Sequence, residues 1–211
     1  MQKVVVFGHG LSNFRHNRGT KKGQEQLVRS SLKGTDTLAR VYGVTGNYAL
    51  TTPLSVKEIR SCLLPGLNVA QYLVKEIVIV ERYKLMDALT VFVGECCRKY
   101  RSDFKQSDFG VGVGKARRRL GLVFVQQLSD LGSMRLDGLN ETLDEKIEVI
   151  GLHAGVVGLL KDDPPTPRIP WGAAAAFIEK VLEARGETTI ATARSARTVR
   201  GVLKLFDTSS V

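Results

Sequence analysis

The chain has 211 residues, of which 43% are hydrophobic and 25% charged, and its formal net charge is +10. This apolar content excludes a wholly disordered chain, and the length allows one sizeable core. A positive charge of this size favours polyanionic partners, with nucleic acid first and an anionic membrane surface second. The three cysteines, Cys62, Cys96 and Cys97, are too few and odd in number for a disulfide-stapled secreted domain. We therefore expect a cytoplasmic protein, or one of another reducing intracellular compartment.

The N-terminal segment combines a strand with a basic loop. KVVVF, residues 3–7, is typical of a buried strand, and the glycine-, asparagine- and lysine-rich residues 10–24 predict a long loop. Basic residues interleaved with Phe14 suit a loop that follows a nucleic-acid backbone. The cations expected to contact phosphates here are Arg15, Arg18, Lys21 and Lys22.

Residues 55–99 predict helix, strand and helix in turn. Ser55 and Glu58 have the spacing of a capping box, so they predict a helix over 55–64 that Pro65-Gly66 then ends. The β-branched residues of EIVIV, 76–80, favour a strand. Apolar residues then recur at three- and four-residue spacing over 83–99, which predicts an amphipathic helix.

The rest of the chain predicts two strands, a linker and two helices. Residues 120–125 and 146–152 are apolar runs of strand length. Residues 162–171, DDPPTPRIPW, hold four of the six prolines, and proline favours extended backbone, so we expect a linker there. Beyond it, 171–185 and about 192–206 predict helices.

These elements predict an α+β fold, with an α/β arrangement as the alternative. We expect one mixed-sheet domain over 1–161, the proline-rich linker 162–171, and a C-terminal helical segment over 172–211. The strand order cannot be derived from the pattern. The longest uncharged apolar stretch, 149–160, is too short to span a bilayer, so no transmembrane segment is expected.

The segment FGVGVGKARRRLGLVFV, 109–125, combines glycines with a cluster of cations. A phosphate-binding loop of the P-loop type needs a glycine where Phe109 stands and a hydroxyl where Ala116 stands, so that motif is incomplete. Arginine's planar fork suits phosphate oxygens, and a glycine-rich exposed loop could lie along a nucleic-acid backbone. The cations of this second loop are Lys115, Arg117, Arg118 and Arg119.

The last predicted helix is amphipathic. At 100° per residue, one face is apolar, and the opposite face is basic. The apolar face holds Ala196, Val199, Val202, Leu203 and Phe206, and the basic face holds Arg194, Arg197, Arg200 and Lys204. Docking on the protein's own core with these cations in solvent is the simplest outcome. Contact with phosphates, an acidic partner or an anionic membrane surface is the functional alternative.

Together these three basic elements predict a structural protein that binds nucleic acid, with RNA favoured, of ribonucleoprotein or nucleocapsid type. Binding would neutralise phosphates and release counterions, with little reading of bases. The sequence predicts no catalytic constellation, no metal site and no cofactor. A homo-oligomer that assembles through the C-terminal helices is one alternative.

The other alternative is a small α/β enzyme that acts on an anionic substrate, in which the loops 8–16 and 110–119 meet over a pocket. Residues 4–13, VVVFGHGLSN, resemble the strand and His-Gly turn that helps to build the oxyanion hole of α/β-hydrolases. The Gly-x-Ser-x-Gly nucleophile elbow of that family is absent from the chain, so no residue role is carried over. A pocket lined by His9 and Ser133 would favour this alternative.

Overall fold

The computed structural model describes residues 1–9, 21–43, 46–69, 74, 76–112, 117–126, 147–162, 171–183 and 190–207. Within these ranges helices accompany two antiparallel sheets, so the predicted α+β fold is confirmed. The chain forms two compact units: the first is Met1–Tyr83 with Arg200–Val211, and the second is Lys84–Val199. Residues 163–170 of the predicted linker lie outside the described ranges, and the division of the chain at that linker stays a prediction.

The first unit follows the order βαββαβ. Its elements are β1 (Gln2–His9), α1 (Lys21–Ser31), β2 (Leu38–Val41), β3 (Asn47–Thr52), α2 (Val56–Val69) and β4 (Glu76–Glu81). The strands lie in the order β2-β3-β1-β4, and each neighbouring pair is antiparallel. This is the connectivity of the ferredoxin-like split βαβ motif, in which each helix joins two parallel strands that a third strand separates.

The predicted strand at residues 3–7 is confirmed as the centre of this sheet. Val4, Val5, Val6 and Phe7 are all fully buried, as a near-continuous apolar run predicts for a strand covered on both faces. Val4 and Val6 share one core cluster with residues of both helices, among them Val28 of α1. The predicted loop over 10–24 is wrong at its end, because α1 begins at Lys21; residues 10–20 lie outside the described ranges.

The predicted capping box at the start of α2 is confirmed. The Ser55 N–H donates to Glu58 Oε2 at 2.7 Å, and the Glu58 N–H donates to Ser55 Oγ at 3.3 Å. These hydrogen bonds to Ser55 hold the pKa of the Glu58 carboxyl below its ordinary value. The predicted stop at Pro65-Gly66 is wrong, since α2 continues to Val69. Burial of Leu63 and Leu67 on either side outweighs the one backbone donor that proline removes.

The second unit contains the rest of the chain up to Val199. Its elements are α3 (Arg82–Tyr100, in this unit from Lys84), a 3₁₀ turn (Arg101–Asp103), β5 (Phe104–Lys105), β6 (Gly110–Val111), β7 (Arg118–Gln126), β8 (Ile147–His153), β9 (Val156–Asp162), α4 (Trp171–Glu183) and β10 (Ile190–Ser195). A final helix, α5 (Ala196–Lys204), begins in this unit. No helix among the described residues is long and apolar enough to cross a membrane.

Strand β7 is the central strand of the second sheet. On one side it pairs with β9, which pairs with β8. On its other side, Arg118 and Arg119 pair with β6, and residues 121–126 pair with β10. Alternate residues cover the two faces: Val123, Val157 and Leu159 pack against α4, whereas Gly158 lies against Phe92 of α3. The sheet therefore has a helix on each face.

The last predicted helix begins at Ala196, because residues 190–195 form β10 instead. Helical spacing describes 196–203 well, since Ala196, Val199, Val202 and Leu203 are all buried. Before Ala196 the exposed edge of β7 offers backbone partners, and alternation places Ala191 and Ala193 in the core. Tertiary pairing thus overrides local helix propensity. Arg194 consequently lies on a strand and not on the basic face of the helix.

Candidate functional site

A pocket of about 270 Å³ lies in the second unit, beside the junction between β10 and α5. Its side chains come from the turn before β6, the start of β7, the first residue of α4 and the β10–α5 junction. They include Asp108, Phe109, Arg119, Trp171, Ser195 and Arg197. Widely separated parts of the sequence therefore supply one charged and aromatic site.

The pairing of β7 explains why these segments meet. The Leu120 N–H donates to the carbonyl of Phe109 at 2.9 Å, which holds the turn before β6 against the start of β7. Phe109 adopts φ of 54°, a left-handed conformation that is unfavourable for a bulky residue and marks a tight, over-determined turn. On the same side of β7, Gly121 pairs with Ser195, which places the end of β10 next to Arg119.

Trp171 packs on the face of β7 from which Arg119 projects. A Cβ added at Gly121 would overlap the indole ring, so the ring lies directly on this glycine. Arg119 is paired across the sheet with Lys161, and paired residues share a face. The Lys161 ammonium is 4.9 Å from the centroid of the Trp171 ring, and only 4% of the residue is exposed. A buried cation therefore lies against one wall of the pocket.

The start of α5 adds backbone donors to the same wall. Ser195 is its N-cap: Ser195 Oγ accepts a hydrogen bond from the Thr198 N–H at 3.2 Å. The N–H groups of Ala196 and Arg197 precede the first intrahelical acceptor, as in any helix. The aligned peptide dipoles place partial positive charge at this end, which favours bound anions.

Cations outnumber anions in and around the pocket. Arg119 is half-buried, and Arg197 is exposed and makes no ion pair with any residue that the structure describes. Asp108 supplies a carboxylate, but it already forms an ion pair with Arg117. The Ser195 hydroxyl is engaged as a helix cap, so it is no activated nucleophile. The arrangement suits binding of an anion beside an aromatic ring.

The predicted cationic loop over 115–119 is not an exposed charge run. Arg117 is half-buried and paired with Asp108, and Arg118 and Arg119 begin β7. Arg118 donates to Asp162 at 2.9 Å and to Glu148 at 2.8 Å. These carboxylates neutralise Arg117 and Arg118 within the fold, which leaves Arg119 as the member of the described run that lines the pocket.

The other predicted cations fall into three groups. Lys21 and Lys22 are exposed at the start of α1, and Lys204 is exposed and Arg200 half-buried on α5. The Arg194 guanidinium donates to Thr192 Oγ1 and to the carbonyl of Ala193, each at 2.8 Å. Arg15, Arg18 and Lys115 lie outside the described residues, as does Ser133 of the enzymatic alternative. Only Arg119 and Arg197 are brought together in this pocket.

Sequence reasoning missed Trp171, Ser195 and Lys161. Trp171 is the only tryptophan, and it follows the proline-rich segment directly, but its position in a predicted helix suggested only core packing. Ser195 lay inside the predicted helix, so its capping role was hidden. No local pattern could relate Lys161 to Trp171, because their contact depends on the strand register.

We expect Gly121→Ala to move Trp171 and to lower the free energy of unfolding by about 1–3 kcal/mol, the usual cost of overpacking. The reason is the overlap between the new methyl group and the indole ring. The measurement is chemical denaturation followed by tryptophan emission. Gly172→Ala is the matched control, because open space surrounds that position on α4, and it should stabilise by about 0.5–1 kcal/mol. Equal effects of the two substitutions would contradict the placement of the ring.

Comparison with known proteins adds information on the fold. No family model matches this chain, and no curated protein matches it. A solved structure described as conserved bacterial protein SP0830 from Streptococcus pneumoniae is similar, with a TM-score of 0.52 and 13% sequence identity. The alignment covers 98% of this chain and 99% of that one. At this identity the likeness shows a shared fold alone.

Proposed function

We propose that this protein binds single-stranded RNA through its phosphates, as a structural component of ribonucleoprotein or nucleocapsid type. The observation that carries the proposal is the pocket in which Arg119, Arg197 and the start of α5 face one cavity beside Trp171. Arginine forks and helix N-termini are common phosphate ligands. Aromatic rings beside such cations are the usual partners of unstacked bases.

The size of the pocket favours one nucleotide of a strand over a larger cofactor. Its volume of about 270 Å³ is below the range of roughly 300–1,000 Å³ that is usual for sites of drug-sized ligands. A dinucleotide would therefore lie mostly outside it. A strand, in contrast, needs only one residue held here while other phosphates meet other cations, and the net charge of +10 supplies such cations.

The proposal extends to the surroundings of the protein. The free state of Cys62, Cys96 and Cys97 supports our proposal of a reducing intracellular compartment. The enzymatic alternative is not favoured by a specific observation, because neither His9 nor Ser133 is among the residues that line this pocket. Self-association through the C-terminal helices stays a prediction that light scattering at two protein concentrations can test.

The test is a fluorescence-anisotropy titration of a labelled RNA of about 20 nucleotides at two salt concentrations. If about six phosphates are engaged, affinity should fall by about 10³-fold between roughly 50 and 200 mM salt. Arg197→Glu should weaken binding at least about tenfold at the lower salt concentration, because it puts a carboxylate where the phosphate would lie. A DNA strand of the same sequence measures the preference for RNA.

Arg98→Glu is the matched control. Arg98 is 78% exposed on α3, lies in the same unit and undergoes the same change of charge, but it is not part of the pocket. We expect its affinity to stay within about twofold of the parent, since a distant exposed charge is largely screened. Salt-insensitive binding would refute the proposal, and so would equal losses for Arg197→Glu and Arg98→Glu.

A further inference from the structure

We infer that the pocket takes a terminal phosphate monoester, so that the protein holds the phosphorylated end of an RNA strand and not an internal linkage. This inference rests on the proposed function and names the ligand of the same site. It follows from the charge, the donors and the size of the pocket, taken in turn below.

The balance of charge favours a dianion. Arg119 and Arg197 line the pocket, and the buried Lys161 ammonium lies behind the Trp171 ring. Against these cations Asp108 is already paired with Arg117. An internal phosphodiester carries one negative charge, whereas a terminal monoester carries about −1.5 to −2 at neutral pH. Because attraction scales with the ligand charge, the terminal group gains more from the same cations.

The donors also match a group with several free oxygens. Two guanidinium forks and the backbone N–H groups at the start of α5 approach from different elements, β7 and the β10–α5 junction. An internal phosphate offers two unesterified oxygens, but a terminal phosphate offers three strong acceptors. The third oxygen allows both arginines and the helix terminus to be satisfied together.

The volume is that of an end group. About 270 Å³ corresponds to roughly nine water molecules in the liquid, which is enough for a phosphate and most of its sugar. A terminal nucleotide enters with one backbone connection behind it. An internal nucleotide brings two connections, and both would have to leave past the walls formed by Arg119, Trp171 and Ser195.

The experiment compares two RNAs of identical sequence, one with a 5′ phosphate and one with a 5′ hydroxyl. Trp171 is the only tryptophan, so quenching of its emission reports directly on the pocket. We expect the phosphorylated strand to bind about tenfold more tightly at pH 7.5. The preference should shrink at pH 5, because the second pKa of the monoester is about 6. A 3′-phosphorylated strand and uridine monophosphate distinguish the end and the free nucleotide as sources of the group.

Two variants assign the preference to the pocket. Arg197→Ala should reduce the ratio between the two strands to about one, whereas Arg98→Ala should leave it unchanged. Both positions are exposed, so neither change should unfold the protein, and circular dichroism checks this. Equal affinity for both strands, with RNA still bound, overturns this inference and leaves the proposed function standing. If RNA fails to bind while uridine monophosphate quenches Trp171 in the parent but not in Arg197→Ala, the phosphate pocket stands and the RNA function falls.

Discussion

Phe92→Ala is expected to lower the free energy of unfolding by about 3–5 kcal/mol, which is the usual cost of emptying a buried aromatic site. Phe92 is 1% exposed on α3, and its ring lies over a glycine pair in the second sheet. Gly151 of β8 and Gly158 of β9 are register partners, and a Cβ on Gly158 would lie 2.6–2.9 Å from three ring carbons. The absent side chains make the recess that the ring fills. Urea denaturation followed by far-ultraviolet circular dichroism measures the loss.

The same geometry predicts how two substitutions combine. Gly158→Ala alone should cost about 1–3 kcal/mol because its methyl group meets the ring. In the Phe92→Ala background that overlap is gone, and the methyl group partly fills the cavity. The double variant should therefore be more stable than additivity predicts, by about 0.5–3 kcal/mol.

Gly94→Ala on the same helix is the control for helix propensity, since nothing lies within 4 Å of that position. It should stabilise by about 0.5–1 kcal/mol in either background. Strict additivity of Phe92→Ala and Gly158→Ala would show that the ring and the glycine do not touch.

The elements that were predicted correctly are those whose signal is local. A continuous apolar run gave β1, three- and four-residue spacing gave α3, and the Ser55–Glu58 pair gave the start of α2. In each case the residues that determine the element lie within one or two turns of each other. The α+β class followed from the mixture of these local periods.

The elements that were missed depend on partners far along the chain. β10 forms because β7 offers an unpaired edge, which no window around residues 190–195 contains. Likewise α2 passes Pro65 because its next apolar residues are held by the core. Gly66 even serves this packing, since a Cβ there would overlap Ser31 of α1. Local breakers act only when tertiary contacts do not oppose them.

The candidate site shows the same limit for charge. The sequence identified the cluster at 115–119 as cationic, but not which members the fold would neutralise. Asp108 captures Arg117, and Glu148 with Asp162 captures Arg118, through strand pairings that bring them together. Arg119 and Arg197 meet for the same reason, because β6 and β10 lie on the same side of β7. Net charge therefore predicted the class of ligand, and register selected the residues.

Glu148→Gln is expected to lower the free energy of unfolding at neutral pH by about 1–3 kcal/mol, because it weakens a network with three donors. The Glu148 carboxylate accepts hydrogen bonds from Lys99, from the Tyr100 hydroxyl and from Arg118. Burial raises the pKa of Glu148, but the hydrogen bonds from Lys99 and Tyr100 outweigh it, so the pKa lies below its ordinary value. The charged form is thus favoured in the folded protein.

The sign of the pH dependence follows from that direction. A carboxyl group whose pKa is lower in the folded state stabilises the fold above its unfolded pKa, about 4.3 for glutamate. That contribution is lost as the pH falls through the lower, folded value. The difference in stability between the parent and Glu148→Gln should therefore be largest above pH 5 and shrink towards pH 3. Denaturation curves at several pH values measure it.

Tyr100 provides a second, spectroscopic readout of the same network. Burial, followed by the hydrogen bond to Glu148, raises the pKa of the Tyr100 hydroxyl to about 12. Glu148→Gln removes the negative charge, so the pKa of Tyr100 should move down towards its ordinary value, visible as earlier formation of tyrosinate in an absorbance titration. Glu95→Gln is the control, because it alters an exposed pair with Arg98 on α3 and should cost at most about 0.5 kcal/mol. A constant stability difference from pH 3 to 7, with an unchanged tyrosinate titration, would show that Glu148 is not held as a carboxylate by this network.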